Sequence, residues 1–103
     1  MNAANQRAIE EKALATLDRI DSLADDIRFW VEEAFPDHPI AASEAASELK
    51  GFSSTALNTY YEEGLRAFAT QVAFAGPGII ARGEAAVETW KDLAAEIGKE
   101  DEA

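Results

Sequence analysis

The chain contains no cysteine, only one histidine, and few basic residues. The lack of cysteine excludes disulfides and thiolate metal sites. The sequence has 9 Lys and Arg against 20 Asp and Glu, which gives a net charge of -11. A field of this sign repels nucleic-acid phosphates and anionic lipid, so we expect no nucleic-acid partner. Such acidity is most often a solvated surface.

Long apolar runs and a leader pattern are also lacking. No apolar run reaches the roughly 18 residues that a membrane span requires, so we expect no membrane insertion. The start, MNAANQRAIEEKALATL, lacks a basic region followed by an apolar core, so we expect no cleavable signal peptide. Hydrophobic residues make up 48% of the 103 residues, which predicts a single folded domain over 1–103 with a modest core.

Residues that could catalyse a reaction or bind a metal form no known pattern. The sequence has no nucleophile motif, no phosphate-binding loop and no Glu-x-x-His pair for a di-metal site. Adjacent carboxylates such as Glu62 and Glu63 point in different directions on a helix, so they do not form a catalytic dyad. The single histidine, His38, has no set of converging ligands. We therefore expect no enzymatic activity, no catalytic residues, no cofactor and no metal.

The first long segment predicts an amphipathic helix over about residues 5–35. It lacks glycine and proline, and its apolar residues recur at alternating steps of four and three. This stripe consists of Ala13, Leu17, Ile20, Ala24, Ile27, Val31 and Ala34. Pro36 ends the helix, because a proline ring disfavours helical geometry in the residue before it. A link over 36–52 follows, with room for a short helix over 41–49 that Gly51 stops.

The second long segment contains Gly76-Pro77-Gly78, which either bends a helix or breaks it. The four-and-three spacing continues across these three residues without a change of phase. The stripe consists of Leu57, Tyr61, Gly64, Phe68, Val72, Ala75, Ile79, Arg82, Ala86, Trp90, Leu93 and Ile97. A loop has no reason to preserve that phase, so we expect one helix over about 54–97, kinked near Pro77. The alternative is a loop at this point. Residues 98–103 are expected to form an acidic tail.

Two long helices joined by a link predict an all-α, antiparallel helical hairpin. The two stripes cover each other but leave the flanks partly bare, and such hairpins usually pair into a four-helix bundle. We therefore expect a dimer. The flanking residues expected to contact the second chain are Leu14, Trp30, Leu65, Ile80 and Val87.

Short motifs in the second half resemble those of a known family. The segment ELKGFSSTAL places Leu49-Lys50-Gly51 just before the expected second helix. The chain thereby resembles the small WXG-type proteins of type VII secretion systems, with Leu49 where tryptophan is usual and Gly51 as the turn glycine. Ala75-Gly76 and Trp90 are similar to positions in the second helix of these proteins and of the related small excreted virulence factors. The family's members are usually acidic, cysteine-free helical hairpins that lack signal peptides and work as dimers.

The export signal of that family is incomplete here. The signal is Tyr-x-x-x-Asp or Glu after the second helix; Trp90 fills the aromatic position, but the residue four later is Ala94. Neither tyrosine of the chain is followed four residues later by an acid. The resemblance implies a chain that is cytoplasmic before export and then secreted or held at the cell surface. It also implies a partner that carries the complete signal.

These observations predict a non-enzymatic protein-interaction module that acts through helix-helix pairing. The resemblance implies that the partner is a similar hairpin or the helical N-terminal domain of a larger toxin. The alternative is a small acidic cytoplasmic adaptor or inhibitor, unrelated to secretion, that covers a basic site on another protein.

Overall fold

The computed structural model describes residues 2–102, and between these residues the chain is helical without any strand. Its four helices are α1 (Ala3–Ala34), α2 (Pro39–Ala45), α3 (Ser47–Glu63) and α4 (Leu65–Glu102). Helices α1 and α4 are the two longest. The all-α class predicted from the sequence is therefore confirmed.

Helix α1 follows the predicted pattern closely. It begins after Asn2, whose side-chain oxygen accepts a 2.9 Å hydrogen bond from the Asn5 amide and so satisfies one of the free donors of the first turn. All seven residues of the predicted stripe are buried, and Leu23 is buried beside them. The helix ends where the Phe35 amide donates to the Val31 carbonyl, immediately before Pro36.

The link contains more helix than expected. Helix α2 begins at Pro39, a position that suits proline because the first helical residue needs no amide donor. Its buried residue is Ala42, and after Ala46 the chain continues directly into α3. The predicted short helix over 41–49 thus lies across the α2–α3 junction. Gly51 lies inside α3 and does not stop a helix, which corrects that prediction.

The expected single helix over 54–97 is wrong, because the chain turns at Gly64. This residue has φ +98° and ψ -179°, a conformation that essentially only glycine adopts. Its amide donates to the Tyr60 carbonyl at 3.0 Å and its own carbonyl accepts from the Phe68 amide at 3.2 Å. One glycine therefore ends α3 and begins α4.

The antiparallel hairpin of two long helices is also wrong, since α1 and α4 run in the same direction. Gly76 of α4 lies against Thr16 of α1, and Gly83, further along α4, lies against Leu23, further along α1. Helix α3 runs the opposite way: Tyr60, near its end, bonds to Glu10, near the start of α1. The three long helices thus run up, down and up. The physical reason is that Gly64 reverses the chain where the sequence pattern suggested continuity.

The core lies between these three helices. Helix α3 contributes Leu49, Ser53 and Ala56 to it. Helix α4 contributes Phe68, Val72 and Ile79, and the ring of Phe68 stacks at 4.7 Å on that of Tyr60. Five residues of the expected second stripe are instead exposed: Leu57, Tyr61, Ala75, Arg82 and Leu93. Leu57 and Tyr61 precede Gly64, so the turn there places them on a different side of the molecule from the buried residues of α4. In α4 itself Gly76 and Gly83 face α1, so their neighbours Ala75 and Arg82 point outward.

Helix α4 runs through Gly76-Pro77-Gly78 without interruption, so the alternative of a loop at this point is wrong. Gly76 faces inward, where an added β-carbon would lie 2.9 Å from Thr16 Cγ2. Pro77 and Gly78 are exposed. The predicted acidic tail over 98–103 is the last part of α4 as far as residue 102, and Ala103 lies outside the described residues.

Candidate protein-interaction surface

The five residues expected to contact a second chain are all half-buried. Leu14, Leu65, Ile80 and Val87 pack against the chain's own core. The Trp30 ring meets the Phe29 ring edge-on at 4.9 Å, and Lys91 Nζ lies 6.0 Å from the centroid of the Trp30 ring. The third long helix supplies part of the cover that a hairpin would lack. Contact of these residues with a second chain stays a prediction.

The turn-motif residues Leu49 and Gly51 do not lie in a turn. Both are in the first two turns of α3, Leu49 buried in the core and Gly51 exposed on the opposite side. No atom outside the immediate backbone lies within 4 Å of a β-carbon built on Gly51. The motif therefore corresponds to ordinary helix here, which corrects its assignment as a turn.

The two positions compared with an export signal lie within α4. Trp90 is half-buried, and its ring meets the Phe35 ring edge-on at 6.1 Å, at the end of α1. Ala94, one turn later, is also half-buried. Because α4 continues to Glu102, neither residue follows the helix in the way that the family's signal does.

The outer face of α4 consists of five residues: half-buried Ala67, and the exposed residues Phe74, Gly78, Ala81 and Ala85. These residues lie on the side of the helix opposite Gly76, which faces α1. Phe74 is 85% exposed, an unusual position for a phenylalanine side chain. The other four members of the face have a methyl group or no side chain.

The outer face of α4 lies mostly in the longest charge-free segment of the chain. Between Arg66 and Arg82 the 15 residues AFATQVAFAGPGIIA carry no charge, although 28% of the whole sequence is charged. Helices exposed to water normally place charged residues on the outer side. An exposed helix face without charge, with a phenylalanine at its centre, is typical of a surface that pairs with another protein.

The four-and-three spacing of apolar residues does not reveal this face, because none of its residues belongs to the stripe predicted for the second long segment. Phe74 falls between the stripe residues Val72 and Ala75 and adds nothing to the periodic pattern. The available signal was the absence of charge over residues 67–81, which periodicity does not measure.

Charged residues join the three long helices in pairs. Arg82 binds Glu48 between α4 and α3, with 2.7 Å from Nη2 to Oε1. Lys50 binds Asp25 between α3 and α1 at 3.3 Å. These pairs are exposed, so each contributes at most about 1 kcal/mol. Their main effect is to fix which helix edges are neighbours.

Tyr60 forms a hydrogen bond that changes the pKa of its hydroxyl. Its hydroxyl donates a hydrogen bond to Glu10 Oε2. This bond, then partial burial, then the negative charge of Glu10 raise the pKa of Tyr60. The pair connects the end of α3 to the start of α1.

His38 lies exposed in the turn between α1 and α2. It lines a shallow pocket of about 470 Å³, together with Phe35, Ile40 and Glu44. Among the side chains that the structure describes, residues 2–100, no group of three His, Asp or Glu could hold a metal ion. The helices described here also include none that is both long and apolar enough to cross a bilayer.

Comparison with known proteins identified no relatives. No protein-family model matches the chain, and neither a curated protein nor a solved structure matches it.

Proposed function

We propose that the chain is a protein-interaction module that pairs with another helical protein through the outer face of α4. The observation that carries this proposal is Phe74, exposed to 85% at the centre of a charge-free helix face. Burial of a phenylalanine side chain contributes roughly 1.5 to 3 kcal/mol, so a partner that covers it gains free energy of binding. A partner helix here lies on the side of α4 opposite α1, so it packs on α4 and does not complete a four-helix bundle around the core of the chain.

A bend in α4 at Pro77 is part of this proposal. Proline inside a helix lacks an amide donor and its ring crowds the carbonyl four residues before it, here that of Ala73. Sharp helix bends usually occur at such residues. A bend next to Phe74 shapes the outer face for a curved partner.

We further propose that the module serves type VII secretion, as an exported substrate or as the targeting partner of a larger secreted toxin. The support is the resemblance of an acidic, cysteine-free helical chain of this size to that family. The motif at 49–51 and the residue Ala94 give no support, for the reasons above. In the native host we expect export only when the neighbouring gene is also expressed. Efficient export of the chain alone would contradict the dependence on a partner's signal.

Site-specific photo-crosslinking in the native host tests the pairing surface. A photoreactive phenylalanine analogue at position 74 is expected to form an adduct with another polypeptide, to be identified by mass spectrometry. The matched control places the analogue at Asn58, an exposed residue on the outer side of α3, where no adduct is expected. Equal labelling at both positions, or none at position 74, would refute pairing through this face.

The alternative of an acidic inhibitor has one observation in its favour. Five exposed acids of α1 make no ion pair with a described residue: Glu11, Asp18, Asp26, Glu32 and Glu33. A basic site on another protein would complement them. In the same experiment, an analogue at Asp26 that labels a basic protein, with none at position 74, would favour this function. Binding of that kind weakens steeply with added salt, whereas pairing of apolar faces does not.

A further inference from the structure

The outer face of α4 has a projection and a recess one helical turn apart. Phe74 projects into solvent, and Gly78, four residues later, has no side chain. A β-carbon built on Gly78 meets only Arg82 Nη1, at 3.5 Å, so the space above this glycine is otherwise open. A helix that packs here finds room for a large side chain at Gly78 and must itself accommodate Phe74.

We infer that the partner on this face is a second copy of the chain, paired in the antiparallel direction about a twofold axis that passes through the outer face midway between Phe74 and Gly78. This inference rests on the pairing function proposed above. In this arrangement Phe74 of each copy lies over Gly78 of the other, and Ala67 lies opposite Ala85. A twofold interface is self-complementary, so one projection and one recess on the same helix are enough to fill both contacts. The small residues at the remaining positions let the two backbones approach closely.

Charge at the two ends of the face fits the antiparallel direction. Arg66 lies next to Ala67 at one end of the outer face, and Glu88 lies three residues beyond Ala85 at the other end, on the same side of the helix. Neither makes an ion pair with a described residue. The antiparallel pair places Arg66 of each copy beside Glu88 of the other, so two ion pairs form. A parallel pair would instead place Arg66 beside Arg66, and like charges repel.

The net charge of -11 opposes association of two copies in general. A face without charge is therefore the part of the surface where two copies approach at the lowest electrostatic cost. From Ala67 to Ala85 the face is about 27 Å long. A standard protein-protein interface buries about 800 Å² of surface on each partner, and one helix pair of this length buries less than that. We therefore expect a weak and reversible dimer.

Sedimentation equilibrium of the purified chain over a wide concentration range tests this inference. The wild type is expected to shift reversibly from monomer to dimer. Phe74→Ala should weaken the dimer at least tenfold, while Tyr61→Ala, which truncates an equally exposed aromatic residue on α3, should leave it unchanged. Gly78→Ala fills the recess and should also weaken the dimer. It should not destabilise the monomer, because alanine favours a helix over glycine, so loss of pairing cannot be attributed to unfolding.

Charge reversal provides an independent test of direction. Arg66→Glu and Glu88→Arg should each weaken the dimer, and the double variant should restore it.

A wild type that remains monomeric at every concentration, or a dimer that neither Gly78→Ala nor the charge reversals affect, would overturn the inference. If the purified chain is monomeric but position 74 labels a different protein in cells, the inference that the partner is a second copy is overturned. The proposed pairing function then stands. If position 74 labels nothing and the chain is monomeric, both are overturned.

Discussion

Gly83 of α4 lies directly against Leu49 of α3: a β-carbon built on this glycine would be 3.0 Å from Leu49 Cδ2. The same carbon would be 3.2 Å from Leu23 Cδ1 of α1. All three long helices therefore meet at this one residue. Both leucines are buried, so they have little freedom to move away from an added methyl group.

Replacement of Gly83 by alanine is expected to lower the free energy of unfolding by about 1 kcal/mol. The helix gains up to about 1 kcal/mol from the change, but overpacking of a tight contact costs roughly 1 to 3 kcal/mol.

Gly78→Ala is the matched control, since Gly78 lies on the same helix and its added carbon meets no buried atom. That variant should be more stable than the wild type by up to about 1 kcal/mol. Urea unfolding at a concentration where the chain is monomeric compares the two, and a stabilised Gly83→Ala would show that the contact is looser than described.

A second pair of glycine variants tests the turn between α3 and α4. Gly64→Ala should lower the free energy of unfolding by roughly 1 to 3 kcal/mol, because alanine is strained at φ +98°. Gly51→Ala should instead raise it by up to about 1 kcal/mol, since Gly51 is inside α3 with open space around it. Thermal and denaturant unfolding measure both changes. Destabilisation by Gly51→Ala would mean that residues 49–51 form a turn, as the resemblance to the WXG-type proteins implies.

Helix α1 and Gly64 show how much of the fold can be predicted from the sequence. The stripe from Ala13 to Ala34 was predicted in full, because an uninterrupted helix buries residues in its own period. Gly64 was counted as a stripe residue, because it happens to fall in phase with Phe68 and Val72. Periodicity records spacing and not the backbone angle of a glycine, so the reversal at Gly64 was invisible to it. Once the chain reverses there, Tyr61 lies outside and α1 and α4 become parallel.

The candidate surface was less predictable than the fold. A two-helix hairpin leaves apolar residues bare on its flanks, whereas here α3 packs against both α1 and α4 and covers part of those flanks. Four of the five residues so chosen pack on the core. Phe74 became notable only when the direction of each helix face was known. A residue's exposure depends on which helices surround it, and that depends on the turn at Gly64.

The hydrogen bond from Tyr60 to Glu10 makes a pH-dependent contribution to stability. Because the folded chain raises the pKa of Tyr60 above its usual value near 10, this contribution is fully present below about pH 10. It is lost as the pH rises through the folded pKa, when the tyrosinate forms beside the Glu10 carboxylate. The stability difference between wild type and Tyr60→Phe should therefore shrink in alkali.

Ultraviolet titration of the Tyr61→Phe variant measures the ionisation of Tyr60 directly, because Tyr60 is then the only tyrosine. An ionisation midpoint at the usual value for tyrosine would contradict the hydrogen bond from Tyr60 to Glu10.

Replacement of Pro77 by alanine separates the stability of α4 from the shape of its outer face. Since α4 is continuous, alanine restores the amide donor to the Ala73 carbonyl and removes the crowding by the ring. Helix content and the free energy of unfolding should both rise, the latter by roughly 1 to 3 kcal/mol.

Pairing should weaken if the bend shapes the face around Phe74, because a straighter helix moves Phe74 and Gly78 out of register with a partner. Circular dichroism and denaturant unfolding measure the first effect, and sedimentation measures the second. For the stability measurement Gly78→Ala is the control, because it also stabilises α4 but leaves Pro77 in place. For pairing the control is Gly51→Ala, which should stabilise the chain from within α3, away from the outer face of α4. A Pro77→Ala variant that loses stability at unchanged helix content would contradict the continuous helix, since proline stabilises loops by restricting the unfolded chain.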